Sequence, residues 1–292
     1  MISRILVVSI CVVAVFFASQ PVMHNQYHVH EYIDSSSAER STQRFNQVAS
    51  HTVSLFRLHR SFNGNASSSE VEIIYEEYDD EIVKSPPRIV ALTFDDGPSI
   101  ITDRILDILE YHDVVATFCV LGSRIARYES TLIRTHEAGH EIIGHSWNHA
   151  RFTQLSRANI SEQLVRTNNE IYRVLGVTPA FHRPPYGLMN NAVIEISEDL
   201  DLAILMWSVD PRDWEYDATP ESIYEHIMDH IFDGSILLFH DIHEVTIYAI
   251  DKLVPSLLEQ GFVFMTASEL LYYSDYPIEG GNIFRYAKPR PQ

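Results

Sequence analysis

Two adjacent carboxylates, Asp95 and Asp96, stand between an apolar run (Ile89, Val90, Ala91, Leu92) and a Gly97-Pro98 stop. A short apolar run bounded by Gly and Pro reads as a buried strand that ends in a turn. Both acids are therefore expected at the mouth of a strand end. Adjacent strand residues point to opposite faces, but a turn at the strand end can swing both toward one site. Two carboxylates so close do not both ionise cheaply unless a positive group stands beside them. The chain offers two such groups, a bound metal or an arginine.

Ligands for a metal occur in His145-Ser146-Trp147-Asn148-His149. Histidines four apart share a face if the segment turns helically, and neutral imidazole is the commonest protein ligand for a transition metal. Joined to Asp96, His145 and His149 make a two-histidine, one-carboxylate set that leaves positions open for water and substrate. Zinc is the first choice, and ligand type equally admits cobalt, nickel or iron. His136 and His140 have the same spacing, but one lies in a helical pattern and the other starts a strand, so both read as structural.

The arginine is Arg183, in Arg183-Pro184-Pro185-Tyr186-Gly187. Pro-Pro stiffens this loop and Gly187 permits an unusual dihedral. A stiff loop can aim a backbone N–H at a developing oxyanion, while Arg183 can pair with Asp95 and keep it ionised. Two further motifs are Asp210-Pro211-Arg212-Asp213-Trp214 and Leu238-Phe239-His240-Asp241. Asp213 can hydrogen-bond His240 and keep it protonated. Trp214 offers a flat apolar face that suits a sugar ring.

These motifs need a scaffold that brings five strand ends together. From Ile89 onward, strand and helix patterns alternate. Strands are predicted at Ile89–Phe94, Val114–Leu121, Glu141–Ile143, Ala180–His182, Leu202–Trp207, Ser235–Phe239 and Phe262–Met265. A long amphipathic helix is predicted at Arg157–Leu175, ended by Gly176. Repeated βα units argue a parallel sheet or a βα barrel, where chemistry collects at the carboxyl ends of the strands. Every motif above lies at or just after such an end.

The chain has 292 residues, 46% hydrophobic and 21% charged, as expected of a globular protein. A formal net charge of -19 argues against nucleic acid, because phosphate binding needs clustered Lys and Arg. The N-terminus carries Arg4 and then an apolar run from Ile5 to Ala18. Residues 1–23 thus read as a secretory signal peptide, with an uncleaved N-terminal anchor as the alternative, and a secreted or cell-envelope location follows from either. Residues 24–87, rich in Ser and Asn and then in acidic residues, read as a flexible spacer. Residues 88–275 form the catalytic domain and 276–292 a tail. Asn65 and Asn159 begin Asn-X-Ser sequons. Cys119 is the one cysteine beyond the leader, so no disulfide forms within the mature chain.

Together the five motifs, TFDDGP, HSWNH, RPPYG, DPRDW and LFH, resemble those of the NodB-like polysaccharide deacetylases, carbohydrate esterase family four. The resemblance covers roughly Pro87 to Tyr272. It implies a distorted, incomplete (β/α) barrel and a metal-dependent hydrolysis of N-acetyl or O-acetyl groups on a polysaccharide. It further implies that Asp96, His145 and His149 hold a divalent metal, zinc before cobalt or nickel. Asp95, oriented by Arg183, would take a proton from the attacking water, and the Tyr186 N–H would face the oxyanion. His240, tuned by Asp213, would protonate the leaving amine, and Leu238 and Trp214 would line the acetyl pocket. The expected substrate is N-acetylglucosamine within peptidoglycan, chitin or its oligomers.

Three other readings share these residues: a glycan-binding protein of the same fold without turnover, a non-haem iron oxygenase, and a xylan O-acetyl esterase. An oxygenase of this ligand type usually sits on an all-β scaffold, which the βα alternation disfavours, and Asp95, Arg183 and His240 suit hydrolysis better.

Overall fold

The computed structural model describes residues 88–287 and, before them, the backbone of two short strands, β1 (Phe56–Arg57) and β2 (Ile74–Tyr75). These two pair antiparallel within the stretch read as a spacer. The signal or anchor segment, the rest of 24–87 and the last five positions lie outside the described residues.

Alternation along β3 (Arg88–Asp95) sets the architecture. Val90, Leu92 and Phe94 point to one face, where they pack among helix residues such as Ile105, Leu109, Ile250 and Leu253. Ile89 and Ala91 point to the other and join Cys119, Ile143, Phe181, Ala203, Leu205 and Ile236 from neighbouring strands. The period of two therefore carries Thr93 and Asp95 to the inner face, at the top of an apolar column. Each fully buried Leu, Ile or Phe of these two layers contributes about 1.5–3 kcal/mol.

The strands that follow are β4 (Thr117–Val120), β5 (Glu141–Gly144), β6 (Phe181–His182), β7 (Ala203–Leu205), β8 (Ser235–His240), β9 (Phe262–Phe264) and β10 (Ile283–Phe284). They form one parallel sheet in the order β10-β7-β6-β5-β4-β3-β8, with β9 also on β3. The sheet curls into a half-barrel. Its far ends meet through single bridges, Val209 to Leu237 and Tyr286 to Ser235. That is the distorted, incomplete barrel expected from the sequence.

Local signals end the helices where the sequence predicts. Ser156 caps the helix Arg157–Leu175 by accepting from the Asn159 N–H, and Gly176 closes it in the left-handed region. Two differences matter. Strand bounds shift, since Thr117–Val120 replaces the predicted Val114–Leu121 while Arg88–Asp95 and Ser235–His240 run past the predicted Ile89–Phe94 and Ser235–Phe239. The sheet also extends past residue 275, where the sequence reading ends the domain, because Ile283 and Phe284 pair with Ile204 and Leu205. Among the described residues no helix is long and apolar enough to cross a membrane.

Candidate active site

Strand register decides which motifs meet. Asp95 stands opposite His240 on β8 and Cys119 on β4, and Gly144 stands opposite His182. The residues after these strand ends, Asp96, His145 and Arg183, therefore share one rim.

Arg183 is completely buried. Its Nη1 donates to Asp95 Oδ1 at 2.7 Å and to Thr93 Oγ1 at 2.8 Å, while Nε and Nη2 donate to the carbonyls of Leu205 and Met206. A buried guanidinium so fully hydrogen-bonded is a fixed positive charge. Burial by itself would raise the Asp95 carboxyl. The charges of Arg183, His145 and His240 outweigh it and hold that group below its usual range. Asp95 is thus an ionised carboxylate whose second oxygen, Oδ2, lies 3.5 Å from His145 Nε2.

Asp96, His145 and His149 bring their ligand atoms within 4.8 Å of one another. Asp96 Oδ1 lies 3.6 Å from His145 Nε2 and 3.4 Å from His149 Nε2. The His145 Nδ1–H donates to the Arg183 carbonyl at 2.7 Å, so in the neutral ring Nε2 is the nitrogen whose lone pair faces the cluster. Asp96 Oδ1 is buried without a hydrogen-bond partner. An orphaned carboxylate oxygen facing two imidazoles fits a divalent cation.

The histidines do not meet as the sequence predicts. Residues 145–149 form no helix. Ser146 (φ 73°) and His149 (φ 60°) fold the loop back on itself, and the Ser146 hydroxyl accepts from the His149 N–H. The imidazole centroids end 5.0 Å apart. Of the eight non-glycine residues with positive φ among those described, five sit on motif loops: Asp96, Ser146, His149, Tyr186 and Arg212. Such conformations cost on the order of 1–3 kcal/mol each and gather at functional sites.

In the third motif, Tyr186 (φ 61°) and Gly187 (φ 63°) both take the left-handed region. A side chain at Gly187 would also strike the Trp207 ring. The turn closes through the Gly187 and Leu188 N–H groups on the carbonyls of Pro184 and Pro185, leaving the Tyr186 N–H outside its own hydrogen bonds. The Tyr186 ring lies 4.4 Å from that of His149.

On the opposite side, Asp213 takes up His240. Its two oxygens accept from His240 Nδ1–H and from the His240 backbone N–H, both at 2.8 Å. Thr246 Oγ1 donates a third bond at 2.7 Å. Burial would lower the imidazole, but Asp213 more than reverses this and His240 is pushed up to about 9. It is a cationic acid at neutral pH, with Nε2 left for substrate. Leu238 is buried beneath it, and Trp214 is 50% exposed. The ring contacts of the site run through His149–Tyr186 and His240–His243 rather than through Trp214.

Three contributors have roles that the sequence does not disclose, although Thr93 and Asp241 stand within motifs. They are Thr93 under Arg183, Thr246 under Asp213, and Asp241. Asp241 Oδ2 accepts from Thr102 Oγ1 at 2.5 Å, and its carbonyl accepts from Ser99 Oγ. Each is one hydroxyl or carboxylate whose partner arrives from a distant element.

A family model described as "Polysaccharide deacetylase" matches residues 82–205. The peptidoglycan-N-acetylmuramic acid deacetylase PdaC of Bacillus subtilis is 38% identical over 192 residues, 65% of this chain and 40% of that protein. The chain thus spans well under half of that relative's length. A peptidoglycan-N-acetylglucosamine deacetylase of Bacillus cereus is 34% identical over 199 residues, 65% of this chain and 92% of the relative. Among solved structures, a family 4 acetyl xylan esterase from Clostridium thermocellum, in complex with cobalt, superposes with a TM-score of 0.64 at 32% identity, covering 68% of this chain and 98% of that one.

Proposed function

Since the chain belongs to the polysaccharide deacetylase family, we propose that it removes N-acetyl groups from N-acetylhexosamine residues of peptidoglycan by metal-dependent hydrolysis. One observation carries the reading. A cation-ready cluster (Asp96, His145, His149) shares its rim with an ionised buried carboxylate, Asp95, and a protonated imidazole, His240. Base and acid pushed apart in this way are what amide hydrolysis requires. Peptidoglycan stands ahead of chitin because the deacetylase relatives above carry that polymer in their names.

A divalent cation held by Asp96, His145 and His149, zinc by preference, would polarise the acetamide carbonyl and a water molecule. Asp95, kept ionised by Arg183, accepts the water proton as the water attacks. The free Tyr186 N–H faces the oxygen on which charge develops. His240, held by Asp213, gives its proton to the departing amine. Leu238 and Trp214 line the place of the acetyl methyl. Acetate and an amino sugar result. The catalytic unit is residues 88–287, working outside the cytoplasm on the strength of the apolar N-terminal run.

Acetate release tests the proposal. Peptidoglycan, chitin oligomers and acetylxylan are supplied with zinc, cobalt or nickel, with and without chelator. Chelator-sensitive release from the amide substrates is expected. Release from acetylxylan alone would replace amide by ester hydrolysis, which the xylan esterase neighbour makes the second reading. No release from any polymer would leave a glycan-binding protein.

A further inference from the structure

Arg151 follows the metal-site loop by two positions and is exposed. Its guanidinium carbon lies 4.5 Å from the centroid of the Tyr186 ring, the ring that also meets His149. The backbone under it is anchored, because Phe152 is fully buried and the Gln154 N–H donates to the Arg151 carbonyl. A guanidinium held over an aromatic face is attracted by the ring quadrupole. That is enough to bias its position without consuming its five donors.

Those donors have no carboxylate partner among the described residues. Arg134, Arg157, Arg173 and Arg212 each pair with at least one acid. Arg212, on another motif loop, is paired with Glu215. In a chain of net charge -19, an unpaired cation one ring beyond a candidate metal ligand is the locus where a substrate anion is attracted rather than repelled.

We propose that Arg151 is a specificity-determining residue that binds a carboxylate carried by the glycan beside the acetamido group being cut. This rests on the hydrolase reading above and names the chemical class of its substrate. A planar guanidinium suits a carboxylate through two parallel N–H bonds. A neutral N-acetylglucosamine polymer offers Arg151 no anionic partner. A muramic acid polymer offers a carboxylate from two sources, the lactyl group of a bare strand or the stem peptide of a substituted one, where the lactyl group is tied up as an amide.

The test uses the full chain with zinc and three glycans: a neutral chitin tetramer, peptide-free glycan strands and peptide-bearing strands. Both kcat/KM by acetate release and binding by calorimetry are read for the parent, Arg151→Gln and Arg151→Lys. The preference for a carboxylate-bearing strand over the chitin tetramer should fall about tenfold in Arg151→Gln, mainly through KM, since a hydrogen bond to a charged group is lost. Arg151→Lys should recover part of it, and added salt should shrink it. Loss of preference on the peptide-free strand identifies the lactyl carboxylate, and loss confined to the substituted strand identifies the peptide. A ratio unchanged within twofold overturns the proposal. So does an equal loss on all three glycans, because Arg151 would then only support Tyr186. If the parent releases no acetate at all, the hydrolase reading fails, and calorimetry still decides whether Arg151 selects carboxylates.

Discussion

Asp95 and Arg183 are 88 positions apart in the chain and meet at 2.7 Å, both buried. Removing one partner of such a pair strands the other charge, which costs about 3–5 kcal/mol. Asp95→Asn keeps the shape but leaves the Arg183 cation unpaired and the site without its base. Acetate release should fall roughly 10²–10⁴-fold, and the melting temperature should fall with it. Arg183→Lys should lose activity as well, because one ammonium cannot serve Asp95, Thr93 and two carbonyls together. Full turnover in Asp95→Asn would remove this residue from the mechanism.

His240 and Asp213 set the alkaline side. The imidazole is raised to about 9 because the Asp213 hydrogen bond and charge outweigh burial. The stabilisation from that pair is complete below the ordinary histidine value near 6.5 and is lost as pH rises through about 9. With Asp213→Asn the support goes and burial remains, so the His240 titration should move down by at least about two units. Proton-detected titration of the chelator-treated protein measures this directly. In the loaded enzyme the alkaline limb of kcat/KM should move the same way. A midpoint that stays near 9 in the variant would show that Asp213 is not the cause.

The cluster of Asp96, His145 and His149 predicts a stability effect apart from turnover. A cation that binds only the folded chain, at 100 times its dissociation constant, adds about 2.7 kcal/mol. For a domain of this size that is a rise of roughly 5–10 °C in melting temperature when zinc is returned to the stripped protein. His149→Ala should abolish most of the rise. An identical rise in that variant would put the ion elsewhere.

Which of these relationships the sequence discloses depends on how local their causes are. All ten candidate residues belong to short motifs at strand ends, and the alternation along Ile89–Asp95 is enough to turn Asp95 inward. By spacing, His145 and His149 would meet across one helical turn. They meet instead because Ser146 and His149 take positive φ, which no residue type in that loop announces. The roles of Thr93, Thr246 and Asp241 are hidden for another reason. Each acts through one side chain whose partner lies at least 33 positions away. β10 escaped notice because a two-residue parallel strand has no periodicity to read.

Gly97 supplies a final prediction, and its cause differs from the one its sequence setting suggests. Beside Pro98 it reads as a strand breaker chosen for backbone freedom. In the structure the reason is space. A methyl group on its Cα would sit 2.5 Å from Asp241 Cγ and closer still to both carboxylate oxygens. Asp241 cannot retreat easily, being buried, bonded to Thr102 Oγ1 and tied through its own N–H to the Asp95 carbonyl. Gly97→Ala should therefore push the loop that carries Asp95 and Asp96, at a cost of about 1–3 kcal/mol for overpacking, and should lower acetate release more than the melting temperature alone explains. The double variant Gly97→Ala with Asp241→Ala removes the colliding carboxylate, so it should regain part of both losses. If backbone freedom were the reason, the second substitution would only add damage, because Thr102 would lose its acceptor with nothing gained in return. Thermal melts and acetate release on the two single variants and the double variant separate these causes.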